Sequence, residues 1–91
     1  MKKVILKFSG CKTNADLHNV LKDDFGFPDY YGANADALYD CLGELGDEKI
    51  TIKIFGFNSL SQEVKTNAFG ILKVIGDVHH EKPNIKYKII S

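Results

Sequence analysis

Residues 28–42 read PDYYGANADALYDCL, and the stretch changes character halfway along. Pro28, the adjacent Tyr30 and Tyr31, and Gly32 are loop and turn residues. Asn34 then suits a helix N-cap, because its side-chain oxygen can accept from a free backbone N–H one turn on. Beyond it Leu38, Cys41, Leu42 and Leu45 recur at i, i+3, i+4 and i+7, a single apolar stripe at helical period. Asp36, Asp40, Glu44 and Asp47 fall on the opposite side, the first three spaced four apart. Like charges at that spacing cost an isolated helix roughly 0.2–0.5 kcal/mol per pair. Asp36, in the first turn, regains some of this from the helix dipole, whereas Asp40 and Glu44 regain little. A positively charged partner accounts for acids stacked in this way.

The flanking chain alternates strands and helices. From Lys3 to Phe8, Val4, Leu6 and Phe8 alternate with Lys3, Ile5 and Lys7, the pattern of a half-buried strand. Thr13 is a candidate N-cap with Asp16 completing an approximate capping box, and Leu17, Val20, Leu21 and Phe25 make a helix from Asn14 to Phe25 that Gly26 ends. After the second helix, closed by Gly43 and Gly46, Lys49 to Phe55 alternates again. Ser59 with Gln62 predicts a short helix to Lys65. Thr66-Asn67 then predicts a fresh cap for a longer helix carrying Ala68, Ile71, Leu72, Ile75 and Val78 to about His80. Gly70 and Gly76 inside that helix each cost up to about 1 kcal/mol relative to Ala, a cost that close approach to a sheet would explain. Past Pro83, Ile85, Tyr87 and Ile89 alternate with Lys86 and Lys88 in a last strand.

Three strands separated by helices predict an α/β fold with a three-stranded parallel β-sheet, because parallel neighbours need crossover connections. Each strand has one apolar face, and the other carries Lys3, Lys7, Lys53, Lys86 and Lys88. Helices are therefore expected on one face only, leaving a solvated, lysine-lined reverse. No linker or repeat divides the 91 residues, so one domain, 1–91, is expected.

The net charge of zero conceals a segregation. Between Asp16 and Glu48 nine acids face one base, Lys22, giving −8; eleven lysines against Glu63, Asp77 and Glu81 give +8 elsewhere. Arginine is absent. A nucleic-acid binder concentrates its cations where it docks. Here the stretch with the most partner-like chemistry is acidic, which points to a basic protein and away from nucleic acid. No apolar run approaches the roughly 20 residues of a membrane span, and the N-terminal MKKVILKF is too short in apolar residues for a signal sequence. The cytoplasm is the expected location. Cys11 and Cys41, thirty residues apart, read as reduced thiols without metal-ligand spacing.

Asp36 and Asp40 could serve as a catalytic or Mg²⁺-binding carboxylate pair. No histidine, lysine or glycine-rich phosphate loop is tied to them by spacing, and a solvated helix face is the commoner meaning of such a pair. The neighbouring loop favours protein binding: Tyr30 and Tyr31 beside Gly32 offer rigid aromatic area of the kind found at interface hot spots. One of the two is expected to pack the loop against the core, leaving Tyr30 exposed. Tyr39, at the edge of the apolar stripe, can pack inward, contact a partner, or both. His18 reads as a partly buried polar residue, His79-His80 as a helix ending compatible with the dipole, and Asp77 alone as a surface acid.

The run Tyr30-Tyr31-Gly32-x-Asn34-x-Asp36-Ala37-Leu38-x-Asp40-Cys41-Leu42 resembles the signature of the barstar family of ribonuclease inhibitors. The similarity is collinear over the chain, including Asp16-Leu17-His18 and the closing Ile89-Ile90-Ser91. The resemblance implies a barstar-like fold without catalytic activity, cofactor or metal. It implies a chain that binds a basic, extracellular-type ribonuclease one-to-one and blocks its active site with an acidic loop-and-helix surface; a monomer when free is the default expectation. The contact positions it implies are Tyr30, Gly32, Asn34, Asp36 and Asp40, with Asp77 where the family has a glutamate; Tyr39, beside Asp40, joins them as a candidate. Asp40 would occupy the phosphate pocket. Tyr39 and Leu45 stand at two positions where the family carries tryptophan, Gly43-Glu44 replaces a Thr-Gly pair, and the chain is neutral where barstar is acidic. The alternatives are a non-inhibitory adaptor for a basic protein and a Mg²⁺-dependent enzyme using Asp36 and Asp40.

Overall fold

The computed structural model describes residues 2–90; Met1, and Ser91 at the end of the C-terminal run, lie outside them. Aliphatic residues in alternation form the strands Lys2–Lys7 (β1), Ile50–Phe55 (β2) and Ile85–Ile89 (β3), which pair in parallel in the order β1-β2-β3. The register sets Val4 beside Ile52, Leu6 beside Ile54, and Ile50 beside Ile85. None of these six is more than 3% exposed. The other face presents Lys3, Ile5, Lys7, Thr51, Lys53, Phe55, Lys86 and Lys88, all exposed or half-buried. Strands with one apolar face can bury only one, so the helices gather on a single side of the sheet.

Those helices are Asn14–Phe25 (α1), Ala35–Gly43 (α2) and Gln62–Glu81 (α3). α1 packs against β1 and α3 against β3, while α2 lies chiefly on α3. Thr13 caps α1, its hydroxyl accepting the Asp16 N–H at 3.1 Å, and the Asp16 carboxylate accepts the Lys12 N–H at 2.9 Å. Gly26 ends α1 in the left-handed region at φ 71°. α2 stops at Gly43, so Glu44, Leu45 and Asp47 lie in the turn beyond it and the acids on the helix proper are Asp36 and Asp40.

The expected break near Thr66 does not occur. α3 is one twenty-residue helix capped by Ser61, whose hydroxyl accepts the Val64 N–H at 3.4 Å. Ser59 instead closes a 3-10 turn over Phe57–Ser59 and donates to the Gly56 carbonyl at 2.8 Å. Thr66 sits inside the helix and donates to the Gln62 carbonyl at 3.0 Å. The reason is the stripe Val64, Ala68, Ile71, Ile75 and Val78, buried throughout, which runs past Thr66 without a change of phase. Burial of a continuous stripe outweighs a local capping preference of about 1 kcal/mol. The two helix glycines also differ. A Cβ at Gly76 would stand 3.3 Å from the Tyr87 hydroxyl on β3, whereas one at Gly70 would meet nothing within 4 Å, so only Gly76 serves close approach to the sheet.

Gly26 and Gly56 both have positive φ, but only Gly56 is crowded: a Cβ there would lie 2.4 Å from the Ser9 nitrogen. Gly26→Ala is expected to cost about 1–2 kcal/mol, the price of the left-handed conformation, and Gly56→Ala clearly more. Urea denaturation of the two variants checks the ordering; equal midpoints would mean that the junction after β2 yields without cost.

Candidate functional site

The loop between α1 and α2 is held from below by aromatic rings. Phe25 and Phe27 stack with centroids 5.1 Å apart, and Phe27 meets Tyr31 at 5.0 Å. Tyr31 is buried, and its hydroxyl lies 2.6 Å from His18 Nδ1 in the core. Burial, and secondarily the nearby Cys41, pushes the Tyr31 phenol up to about 12, while burial pushes the His18 imidazole down. Both groups are therefore neutral near pH 7, and one hydrogen bond joins the phenol to the ring nitrogen. The Tyr31 N–H also closes a turn onto the Pro28 carbonyl at 2.9 Å. With Tyr31 committed to the core, Tyr30 is left on the surface, 82% exposed.

Past Tyr31 the chain turns sharply into α2. Ala33 takes φ 51°, the one non-glycine residue with positive φ among the described residues, a conformation that costs of order 1–3 kcal/mol. Asn34 secures the turn: its carbonyl oxygen accepts the Ala37 N–H at 2.8 Å and its amide donates to the Gly32 carbonyl at 3.1 Å. A Cβ on Gly32 would crowd that amide at 3.2 Å, so Gly32 provides room rather than an unusual φ.

Leu38 and Leu42 are fully buried, which turns the other side of α2 outward. Asp36 and Asp40 are exposed there, one turn apart, and among the described residues neither joins an ion pair. Tyr39 reaches across to α3, where its hydroxyl donates to the Glu81 carboxylate. Tyr39, Asp77, His80 and Glu81 line one shallow depression between the two helices. The hydrogen bond to Glu81 first, then desolvation and the negative charge of Glu81, Asp77 and Asp40, raise the Tyr39 phenol above its ordinary value, so it remains a donor. Asp77 also meets Lys73 at 3.3 Å, one turn back on α3. That pair is solvent-exposed and worth about 0–1 kcal/mol, weak enough for a better cation to displace.

The candidate residues thus form a ledge with two parts. Tyr30, Gly32, Asn34 and Asp36 follow one another over the loop and the first turn of α2; Tyr39 and Asp77 meet where α2 lies on α3, and Asp40 follows Tyr39 on α2, its charge felt at the Tyr39 phenol. Tyr30, Gly32, Asn34, Asp36 and Asp40 do not line the depression itself. Glu81 is the member that sequence reading missed, although its i, i+4 spacing from Asp77 places both on one face of α3. Among the described residues no three of His, Cys, Asp and Glu converge as a metal site would require, and no helix is long and apolar enough to cross a membrane.

A family model described as "Barstar (barnase inhibitor)" matches residues 1–90 of the chain. A Bacillus subtilis (strain 168) protein named "Putative ribonuclease inhibitor YrdF" is 36% identical over 90 residues, which span 99% of this chain and 98% of that protein.

The buried pair beneath the loop predicts a pH dependence. The folded-state pKa of His18 lies below its ordinary 6.5, so between these values the unfolded chain binds a proton that the folded one does not. Stability is complete above the unfolded value and declines as pH falls through that window. His18→Gln, which removes the titrating ring, is expected to flatten the profile just below pH 6.5. Tyr31→Phe, which strands a buried ring nitrogen, is expected to cost about 1–3 kcal/mol at pH 7. Denaturation midpoints across this range decide: the same slope in parent and His18→Gln would contradict the assignment.

Proposed function

The chain belongs to the barstar family, and from that membership we propose that it inhibits a basic ribonuclease of the barnase type, binding one-to-one and closing the active site. The observation that supports this reading is the acidic surface at the α2–α3 contact: Asp77 and Glu81 of α3 beside Tyr39, with Asp36 and Asp40 exposed on α2 and Tyr30 exposed on the loop before it. A ribonuclease must hold RNA phosphates, so its cleft is cationic and draws in anionic surfaces. Carboxylates held on helices can occupy such a cleft and offer no bond to cleave. Inhibition then needs neither turnover nor cofactor.

Each side chain has a role in this account. Asp40, exposed and in no ion pair among the described residues, enters the phosphate-binding pocket. Asp36 and Asp77 flank it and meet lysine or arginine at the rim, with Asp77 exchanging Lys73 for the partner's cation. Tyr30 contributes rigid aromatic area, and Gly32 lets the partner approach the backbone. Asn34 fixes the direction of α2, and Tyr39 fills the space between helices while holding Glu81. Burial of Tyr31 and the Asn34 cap order the loop before the partner arrives, which lowers the entropy lost on binding. Electrostatic steering is a property of the family's namesake pair, and its basis in this chain is the −8 carried between Asp16 and Glu48.

Titrating the chain into a small basic secreted ribonuclease from the same genome is expected to abolish RNA cleavage at one equivalent. Asp40→Ala should weaken inhibition by at least about 30-fold, the equivalent of about 2 kcal/mol for a truncated hot spot. Lys86→Ala, on the reverse face, should leave it unchanged. Equal losses from the two substitutions would remove the assignment of Asp40. A stable complex that still cleaves RNA would make the chain an adaptor instead.

A further inference from the structure

The sheet face turned away from the helices has no part in the ledge, yet its arrangement is costly. Lys3, Thr51 and Lys86 form one row across the strands, Ile5, Lys53 and Lys88 the next, and Lys7 stands beside Phe55. The register thus sets Lys53 directly against Lys88, a like-charge neighbour pair that destabilises a sheet. No strand position on this face carries an acid. Asp23 and Asp24 come near Lys7 at the β1 edge, and among the described residues Lys3, Lys53, Lys86 and Lys88 join no ion pair. Parallel sheets are normally covered on both sides; here Ile5 is 44% exposed and Phe55 half-buried.

The converse surface lies on the same molecule. The α2–α3 ledge exposes Asp36, Asp40, Asp77 and Glu81. Because the net charge is zero, no long-range repulsion keeps two copies apart. We infer that the lysine face of one copy receives the acidic α2–α3 ledge of a second copy, so that the chain associates with itself head to tail. The contact is heterologous, each added copy presenting one free ledge and one free lysine face, so it extends instead of closing as a two-fold dimer. Since the two surfaces meet through charge, the association belongs to low ionic strength: the Debye length is about 30 Å at 0.01 M and about 3 Å at 1 M. A copy whose ledge is covered cannot offer it elsewhere, so any ledge-binding partner competes with self-association. The inference requires only the ledge's exposure and charge, and stands apart from its inhibitory role.

Sedimentation velocity on the full chain tests it. At about 0.01 M ionic strength the weight-average sedimentation coefficient is expected to rise with protein concentration, and at about 1 M to stay at the monomer value. The variants Lys53→Gln/Lys88→Gln and Asp36→Asn/Asp40→Asn, their folds checked by circular dichroism, are each expected to remain monomeric at low ionic strength. Mixed together they should form a one-to-one complex, because each keeps the surface that the other lacks. A parent that stays monomeric at low ionic strength, either variant associating alone, or a mixture that fails to associate would overturn the inference. A monomeric parent whose lysine face binds a single-stranded oligonucleotide would overturn it in favour of nucleic acid.

Discussion

One buried hydrogen bond, between the Tyr31 hydroxyl and His18 Nδ1, organises the exposed end of this molecule. Neither group could be buried alone without an unsatisfied polar atom, at a cost of about 1–3 kcal/mol. Together they let Tyr31 join Phe25 and Phe27 in the core and so fix where the loop before α2 begins. Tyr30 is thereby left outside, the chain must turn through Ala33 in the left-handed region, and Asn34 arrives placed to cap α2. α2 then buries Leu38 and Leu42, and Asp36 and Asp40 are left facing solvent.

The second constraint is the continuity of α3. Because its apolar stripe runs unbroken from Val64 to Val78, the helix reaches Glu81 and carries Asp77 and Glu81 up beside Tyr39. The resulting gathering of negative charge is unfavourable in the free molecule. Among the described residues Tyr39, as a hydrogen-bond donor to Glu81, and the exposed Lys73 oppose it. Such a surface makes physical sense where a cationic partner supplies the missing charge, and membership of an inhibitor family supplies a reason for one. The lysines behind the sheet repeat the pattern with opposite sign, which is why the two surfaces of one molecule suit each other.

Much of this was legible in the residue order wherever the determinant is local. Strand alternation gave the parallel sheet and its single covered face, and Thr13, Gly26 and Asn34 marked helix ends correctly because a cap is decided within one turn. The segment expected as two helices, capped by Ser59 and by Thr66-Asn67, is the single helix α3 capped by Ser61, since all three are competent caps and the choice among them falls to burial of the continuous stripe. The pairing of Tyr31 with His18 has no sequence signal, since the two, thirteen positions apart, are brought together only by the packing of the loop on α1. The approach of Tyr39 to Glu81, 42 positions apart, depends on α2 resting on α3 in the same way. Residues that act through tertiary contact were therefore the ones missed, even where Glu81's spacing from Asp77 placed it on the correct face.

The central claim is that carboxylates of this chain occupy the site where a ribonuclease holds phosphate. The most direct measurement is the inhibition constant of the chain determined against rising concentrations of a nucleoside 3′-monophosphate bound in that site. Strict competition is expected, with the apparent constant rising in proportion to nucleotide and no ternary complex forming. An inhibition constant indifferent to the nucleotide, with ribonuclease, nucleotide and this chain recovered together, would contradict it.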